Sequence, residues 1–132
     1  MNIPSYVKSY PFFSKGTPRG FAFLKWLFLR EDVYKNLVSS KPSPENMGVL
    51  IHEEEHRKRI TNLWSSFWYW LNPGFRFREE LAADRARFKY LKKHKVKFDF
   101  KKRAKSLSSW AYLWCTSYKK AERKLEKIWK EV

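Results

Sequence analysis

Two of the three histidines in this chain lie in one hexapeptide, IHEEEH, at residues 51–56. His52 and His56 are four positions apart, and residues at that spacing lie on one face of a helix, about 6 Å apart. A helix here lets both imidazoles point to one position, which is the arrangement that tetrahedral zinc requires. Glu53 follows the first histidine directly, so its carboxylate can reach a water molecule at that position. The segment therefore predicts a helix that carries two metal ligands and a base.

A simpler interpretation of the hexapeptide stays open at this point. The same residues can form a solvated helix face on which two histidines occur incidentally and the acids pair with Arg57, Lys58 and Arg59. We expect Glu54 and Glu55 to be solvated charges of this kind. A third ligand from another part of the chain is needed to decide between the two interpretations.

The composition predicts a modest core and a strongly basic surface. The chain has 132 residues, of which 43% are apolar and 19% aromatic, so Trp, Tyr and Phe must supply much of the core volume. The formal net charge is +16, and such a surface attracts nucleic acid, acidic lipid or acidic protein. The single cysteine, Cys115, excludes an intramolecular disulfide, and we expect it to be a buried apolar residue.

The longest apolar segments, GFAFLKWLFL and LWSSFWYWL, bear on membrane association. Both fall short of the ~20 residues that a membrane-spanning helix needs. Their aromatic residues would allow a peripheral membrane contact, although core packing explains them as well. The first residues, MNIPSYVKSYPFF, lack the apolar run of a signal peptide. The sequence therefore predicts a cytoplasmic protein without a transmembrane segment.

The pattern predicts a single domain over residues 1–132, with different first and last parts. Residues 1–42 indicate strands and loops, with SYVKSYPFF as one strand and FAFLKWLFLREDVY as a strand buried on both faces or a short helix. Residues 99–132 indicate a helix over 101–131. Its apolar stripe consists of Trp110, Leu113, Trp114, Ala121, Leu125, Ile128 and Trp129.

The middle part, residues 43–98, indicates the helices of the metal site. One helix is expected over about 46–62, with Asn46 or Ser43 as its cap, and Pro44 and Glu45 suit its first turn. Another runs from about Phe75 to His94. The NPG turn at residues 72–74 separates them. The apolar segment LWSSFWYWL either extends the first helix or begins another.

The second of these helices supplies the further ligand that a catalytic zinc site needs. Its segment REELAAD places Glu80 and Asp84 four residues apart on one helical face, with the small residues Ala82 and Ala83 between them. Small residues let two helices approach closely. Glu80 can then complete a ligand set of two histidines and one glutamate. Asp84 can accept a hydrogen bond from the outer nitrogen of a ligating histidine.

H-E-x-x-H at residues 52–56 followed by E-x-x-x-D at residues 80–84 resembles the gluzincin clan of zinc metallopeptidases, and the short chain is most similar to the minigluzincins. The resemblance covers about residues 46–94. It implies an α+β fold in which a small N-terminal β-sheet packs on an active-site helix, with a glutamate helix and C-terminal helices alongside.

The same resemblance implies a role for each residue of the two motifs. His52, His56 and Glu80 would be the ligands of Zn²⁺. Glu53 would be the general base and acid. Asp84 would be the carboxylate that orients a ligating histidine.

Two other residues compete for the third ligand position. Glu79 precedes Glu80, but it has Ala83 rather than an acid four residues later, so we favour Glu80. His94 would give a three-histidine site, but it lies in KKHKVK, where the surrounding positive charge opposes a dication. We expect His94 to be an exposed residue at a helix end.

Such a site supports hydrolysis of a peptide bond in a peptide or protein substrate. Zinc lowers the pKa of its water toward ~7, Glu53 takes up the proton, and a further donor stabilises the oxyanion. Tyr112, Tyr118 and His94 are the candidates for that donor, and we favour Tyr112. We expect the substrate to lie extended along a sheet edge to which FAFLKWLFL belongs. The resemblance also implies a latent form of the enzyme, in which the C-terminal tail AERKLEKIWKEV would occupy the active-site cleft. We favour instead packing of that tail on the core.

The net charge is larger than a peptidase requires and leaves other functions open. A nucleic-acid-associated protein with structural zinc is disfavoured, because such sites are rich in cysteine and this chain has one. A SprT-like protease linked to DNA would need a third histidine ligand, which is hard to find here. The remaining alternative is a basic phage or viral virion component with a gluzincin-like fold, latent or inactive as an enzyme.

Overall fold

The chain folds as a small three-stranded sheet followed by helices, as a computed structural model describes for residues 1–12 and 18–132. The strands in this part of the chain are Val7–Tyr10 (β1), Gly20–Phe23 (β2) and Trp26–Arg30 (β3). The α-helices are Glu31–Val38 (α1), Pro44–Arg59 (α2), Leu63–Leu71 (α3), Pro73–Lys93 (α4), Phe100–Leu107 (α5) and Tyr118–Glu131 (α6), and a 3₁₀ helix covers Trp110–Tyr112. The predicted α+β class is confirmed.

Strand β3 is the central strand of the sheet. It pairs in parallel with β1, with Val7 opposite Leu27, and antiparallel with β2, with Gly20 opposite Leu29. Leu27 and Leu29 are fully buried on one face of β3, where period-two alternation places them together. This face packs on α1 and α2 and forms an N-terminal core with Val7, Val33, Leu37, Val49 and Leu50.

The segment FAFLKWLFLREDVY, predicted as one two-sided strand or a short helix, forms two strands and the start of a helix. The chain reverses at Leu24, whose φ of 52° lies in the left-handed region that turns use. Helix α1 begins directly after β3, with Glu31 and Asp32 in its first turn, where carboxylates interact favourably with the helix dipole. Residues 31–38 are therefore helical, within a part of the chain for which the pattern indicated mainly strands and loops.

Polar caps set the bounds of the helices that carry the candidate site. The Ser43 hydroxyl accepts a hydrogen bond from the Asn46 backbone at 3.2 Å, so Ser43, one of the two predicted caps, starts α2 at Pro44. Asn62 caps α3 in a capping box with Ser65, which makes LWSSFWYWL a separate helix. Asn72 caps α4, so the NPG turn both ends one helix and starts the next.

The last part of the chain is divided into α5, the 3₁₀ helix and α6, instead of one long helix. Leu113 and Trp114 have φ values of 51° and 49°, which an α-helix cannot contain. Of the predicted apolar stripe, Trp110, Leu113 and Trp114 are exposed, so the stripe was wrong for its first half. The second half is confirmed by a C-terminal core of Phe77, Phe88, Ala104, Leu107, Cys115, Ala121, Leu125 and Ile128.

The C-terminal tail lies in this core, because Ala121, Leu125 and Ile128 of α6 pack with Phe77 and Phe88 of α4. Packing of the tail on the core was the favoured prediction. Among residues 1–12 and 18–132, no helix has both the length and the apolar character needed to cross a bilayer.

Candidate metal centre

Helices α2 and α4 bring three potential ligands to one point. The Nε2 atoms of His52 and His56 are 3.2 Å apart. The two carboxylate oxygens of Glu80 bridge them, with Oε2 3.1 Å from His52 Nε2 and Oε1 3.0 Å from His56 Nε2. Ligand atoms from all three residues lie within 4.8 Å of one another. The three residues are buried, with 2–6% of their surface exposed.

These spacings fit one shared cation. Bonds of about 2.0–2.1 Å at tetrahedral angles place neighbouring ligand atoms about 3.3 Å apart. The three closest donor distances, 3.0, 3.1 and 3.2 Å, are near that value. Two imidazoles and one carboxylate suit zinc and also several other transition metals. The residues therefore fit a divalent metal ion, and the donor set by itself does not single out zinc.

Asp84 lies one turn after Glu80 and contacts the outer nitrogen of the first histidine. Its Oδ1 is 2.9 Å from His52 Nδ1, and its side chain is fully buried. Such a contact orients the ring so that the other nitrogen faces the metal position. The 2.9 Å contact is an ion-pair distance whose angle falls outside hydrogen-bond geometry, and Nδ1 of His56 likewise has no hydrogen-bond partner among the residues that the structure describes.

A buried arginine of α5, Arg103, connects the two carboxylates, and the sequence patterns did not identify it. Its Nη2 donates to Glu80 Oε2 at 2.8 Å, and its Nε donates to Asp84 Oδ2 at 2.7 Å. In the sequence, the one indication of its role was that the segment KKRAK contains a single arginine among lysines. Arginine provides a planar set of donors that can reach two carboxylates at once, which lysine cannot do.

Tyr69 is a second residue that the patterns missed. Its hydroxyl donates to Glu80 Oε1, and its ring centre is 6.0 Å from that of His56. It is carried by the inner side of α3, which packs on α4. The sequence signal was weak, since it consisted of one hydroxyl in the middle of the apolar run LWSSFWYWL.

The tyrosine that was predicted to stabilise the oxyanion, Tyr112, lies one contact farther away. Its hydroxyl accepts a hydrogen bond from Arg103 Nη1 at 2.9 Å, and that arginine connects it to the carboxylates. Of the other two candidates, Tyr118 is 38% exposed at the start of α6. His94 stacks on Tyr90 at the end of α4, with ring centres 4.1 Å apart. The prediction of an exposed His94 at a helix end is confirmed.

The other competing ligand, Glu79, points elsewhere. Its carboxylate accepts two hydrogen bonds from Arg59, at 2.7 and 3.0 Å. Glu54 is likewise paired, with Arg57 at 3.0 Å, and is partly buried rather than fully solvated.

Cys115 is 9% exposed, and burial raises the pKa of its thiol, which does not favour a nucleophilic thiolate.

Glu53 is buried beside the two histidines and under strand β2. A Cβ atom at Gly20 would lie 3.0 Å from Glu53 Cγ, so the absence of a side chain at Gly20 lets the strand pass this close. Burial raises the pKa of Glu53, although the neighbouring histidines act in the opposite direction. A carboxylate with a raised pKa holds a proton more readily and suits proton transfer near neutral pH.

The charges of the cluster depend strongly on one another. Burial alone would lower the pKa of His52, but Asp84 and Glu80 outweigh it and raise that pKa to about 9. Burial opposes ionisation of the two acids, yet Arg103 and His52 bring the pKa of Asp84 to about 2, and the histidines hold the pKa of Glu80 well below its ordinary value. Metal binding would have to displace the His52 proton.

Comparison with protein-family models, with curated proteins and with solved structures found no match to this chain.

Proposed function

We propose that this chain is a metal-dependent peptidase with zinc as its metal. The single observation that supports this most strongly is the convergence of His52, His56 and Glu80 on one point, with donor distances of 3.0–3.2 Å. Glu53 lies buried next to these residues without being one of them. A site that only stored metal would not need this extra carboxylate.

His52, His56 and Glu80 would hold the metal, which when bound supplies a Lewis acid that polarises a carbonyl group and activates water. Asp84 keeps the His52 ring oriented, with its outer nitrogen protonated and its inner nitrogen available. Arg103 fixes both carboxylates and prevents their rotation.

Glu53 transfers the proton in this proposal. It accepts a proton from the attacking water and delivers it to the leaving nitrogen of the cleaved peptide bond. Its raised pKa favours the first step, because the carboxylate is then a stronger base than a solvated glutamate. Tyr69 keeps its own proton, because burial and the nearby Glu80 raise its pKa. Its hydroxyl is therefore a hydrogen-bond donor close to the ligands and a better candidate for oxyanion stabilisation than Tyr112.

The substrate peptide would pair with the outer edge of β2. This strand is an outer strand of the described sheet and passes over Glu53 at Gly20. An extended peptide that adds to β2 would therefore place a backbone carbonyl near the catalytic carboxylate.

Two variants with matched controls test the proposal. Zinc analysis of the purified chain is expected to give one metal per wild-type molecule, none for His52→Ala, and one for the exposed-histidine control His94→Ala. Glu53→Gln should keep the metal but lower cleavage of unfolded, fluorescently labelled casein by about 10²–10⁴-fold. Glu54→Gln, on the same helix, should cleave like the wild type.

Two results would contradict the proposal. One is a zinc-reconstituted wild type that contains no metal at this site. The other is a Glu53→Gln variant that cleaves as fast as the wild type.

A further inference from the structure

Helix α3 turns polar residues toward the protein and apolar residues toward solvent, the reverse of an ordinary surface helix. Its inner positions are Ser65, Ser66 and Tyr69. Every outward-facing residue is more than half exposed, and none of them is polar. These residues are Leu63, Trp64, Phe67, Trp68, Trp70 and Leu71.

The loop that follows α5 extends this apolar surface. Trp110 is 72% exposed and Trp114 is 69% exposed, and Leu113 lies between them. Buried Arg76 joins the loop to α3, because it donates to the carbonyl oxygens of both regions. The acceptors are Tyr69 O and Trp70 O at 2.8 Å, Tyr112 O at 2.9 Å and Leu113 O at 3.4 Å. We call the exposed apolar residues of α3 and of this loop the aromatic face.

The backbone of the loop is held in a costly conformation. Leu113 and Trp114 both have positive φ values, which L-residues with side chains rarely adopt. A glycine at either position would make the same turn without strain. The large apolar side chains at these positions remain 44% and 69% exposed, so a contact outside the chain gives a physical reason for them.

Basic residues flank the aromatic face along the chain. The two segments that build it, residues 57–78 and 100–121, contain no aspartate or glutamate. Their exposed cations are Lys58, Arg59, Arg78, Lys101, Lys102, Lys105, Lys119 and Lys120. Interfacial helices that bind anionic lipid combine an apolar face rich in Trp, Phe and Leu with nearby Lys and Arg.

Three kinds of partner could cover such a surface, and their charges separate them. A second copy of this chain would also carry +16, so the two copies would repel each other. Single-stranded nucleic acid would stack on the tryptophans but would leave Leu63, Leu71 and Leu113 in water. A lipid bilayer accepts Trp at its interface and Leu in its outer acyl region, and anionic headgroups attract the cations.

We propose that the aromatic face docks on an anionic lipid bilayer. Helix α3, with nine residues, lies in the plane of the headgroups, because a spanning helix needs about 20. The inner side of the same helix carries Tyr69, which contacts Glu80. The candidate metal centre therefore lies directly beneath the membrane-facing helix.

Vesicle flotation of the full chain tests this surface independently of any catalytic activity. The wild type is expected to float with vesicles of phosphatidylcholine and phosphatidylglycerol, and far less with phosphatidylcholine alone. Brominated phosphatidylcholine in the anionic vesicles should quench its tryptophan fluorescence. The double variant Trp64→Ser/Trp68→Ser should lower the partition coefficient at least about tenfold. Val38→Ser, an exposed apolar residue outside the aromatic face, is the matched control and should bind like the wild type.

Both tryptophans of the double variant are more than half exposed, so circular dichroism should show an unchanged fold. Each of three outcomes would overturn the proposal. The wild type fails to float with anionic vesicles. The double variant floats as well as the wild type, which would mean adsorption by charge alone. Sedimentation velocity shows a wild-type dimer that the double variant abolishes, without vesicle binding by either protein.

Discussion

Arg103 illustrates how single residues stabilise the candidate centre. Its side chain is 10% exposed and contacts Glu80 and Asp84, whose side chains are 3% and 0% exposed. Removing charges from water is expensive, so each of these groups depends on the others for compensation. The two acids remain ionised because the guanidinium and the histidines lower their pKa values.

Replacement of this arginine should therefore be costly. We expect Arg103→Met to lower the free energy of unfolding of the metal-free protein by about 3–5 kcal/mol, because it leaves two buried carboxylates without their cation. Urea denaturation measures this change. The control is Arg85→Met, which removes a surface ion pair with Glu131 and should cost less than about 1 kcal/mol. Equal losses in the two variants would show that the Arg103 pairs have no special energetic role.

Close approach of secondary-structure elements positions the ligands, and glycines permit it. Helix α2 packs on α4 at Gly48, where a Cβ atom would lie 3.2 Å from Leu91 Cδ2 and 3.3 Å from Arg87 Cγ. Strand β2 approaches α2 at Gly20. The first contact sets the distance between the histidines and Glu80, and the second sets the position of Glu53.

A larger residue at the helix contact should separate the ligands. Gly48→Val is expected to lower stability by about 1–3 kcal/mol through overpacking and to weaken zinc binding in the same variant. Thermal unfolding and competition with a chromophoric chelator measure the two effects. Gly74→Ala, in the first turn of α4, is the control, since a Cβ atom there meets only ordinary contacts of 3.4 Å or more. If Gly48→Val binds zinc as tightly as the wild type, this contact does not set the ligand geometry.

A side chain at the strand contact should affect the base and spare the metal. Gly20→Ala places a methyl group against Glu53 Cγ and also 3.3 Å from the backbone oxygen of Phe28, which cannot move as a side chain can. We expect casein cleavage to fall at least about tenfold with one zinc still bound, because proton transfer needs close geometry. Loss of metal together with activity would instead indicate a general distortion of the site.

In the molecule as a whole, the candidate centre joins parts of the chain that are far apart in sequence. Its ligands come from α2 and α4, and Arg103 comes from α5, so the site exists only when these helices are packed. A metal that binds only the folded chain stabilises it by mass action. The two hydrophobic cores, one on the sheet side and one on the C-terminal side, meet along the α2 and α4 pair.

Metal removal should therefore lower thermal stability. At a free zinc concentration of 100 times Kd, binding contributes about 2.7 kcal/mol, and we expect a chelator to lower Tm by several degrees. Scanning calorimetry with and without zinc measures the difference. His56→Ala should show no response to zinc, whereas His94→Ala should respond like the wild type. A response to zinc that survives in His56→Ala would place the bound metal elsewhere.

Much of the candidate centre was predictable because its ligands follow helical periodicity. His52 and His56 are one turn apart, as are Glu80 and Asp84, so each pair shares a face whatever the rest of the chain does. The break at residues 72–74 was also readable, because Pro and Gly act locally through their allowed backbone angles. The α+β class was implied by the family resemblance, and the strand pattern of residues 1–42 and the helical patterns after it agreed with that class.

Tertiary structure alone decided the contacts that no local rule describes. Tyr69 and Arg103 contact Glu80 although they are 11 and 23 residues away from it in sequence. No regular spacing of residues around either side chain predicts these contacts. The same holds for α3. Core packing was one explanation of its apolar run, but the apolar side chains face solvent, because the polar inner side of the helix is turned toward α4. Periodicity determines which side chains share a face, and only the packing of whole elements determines what that face contacts.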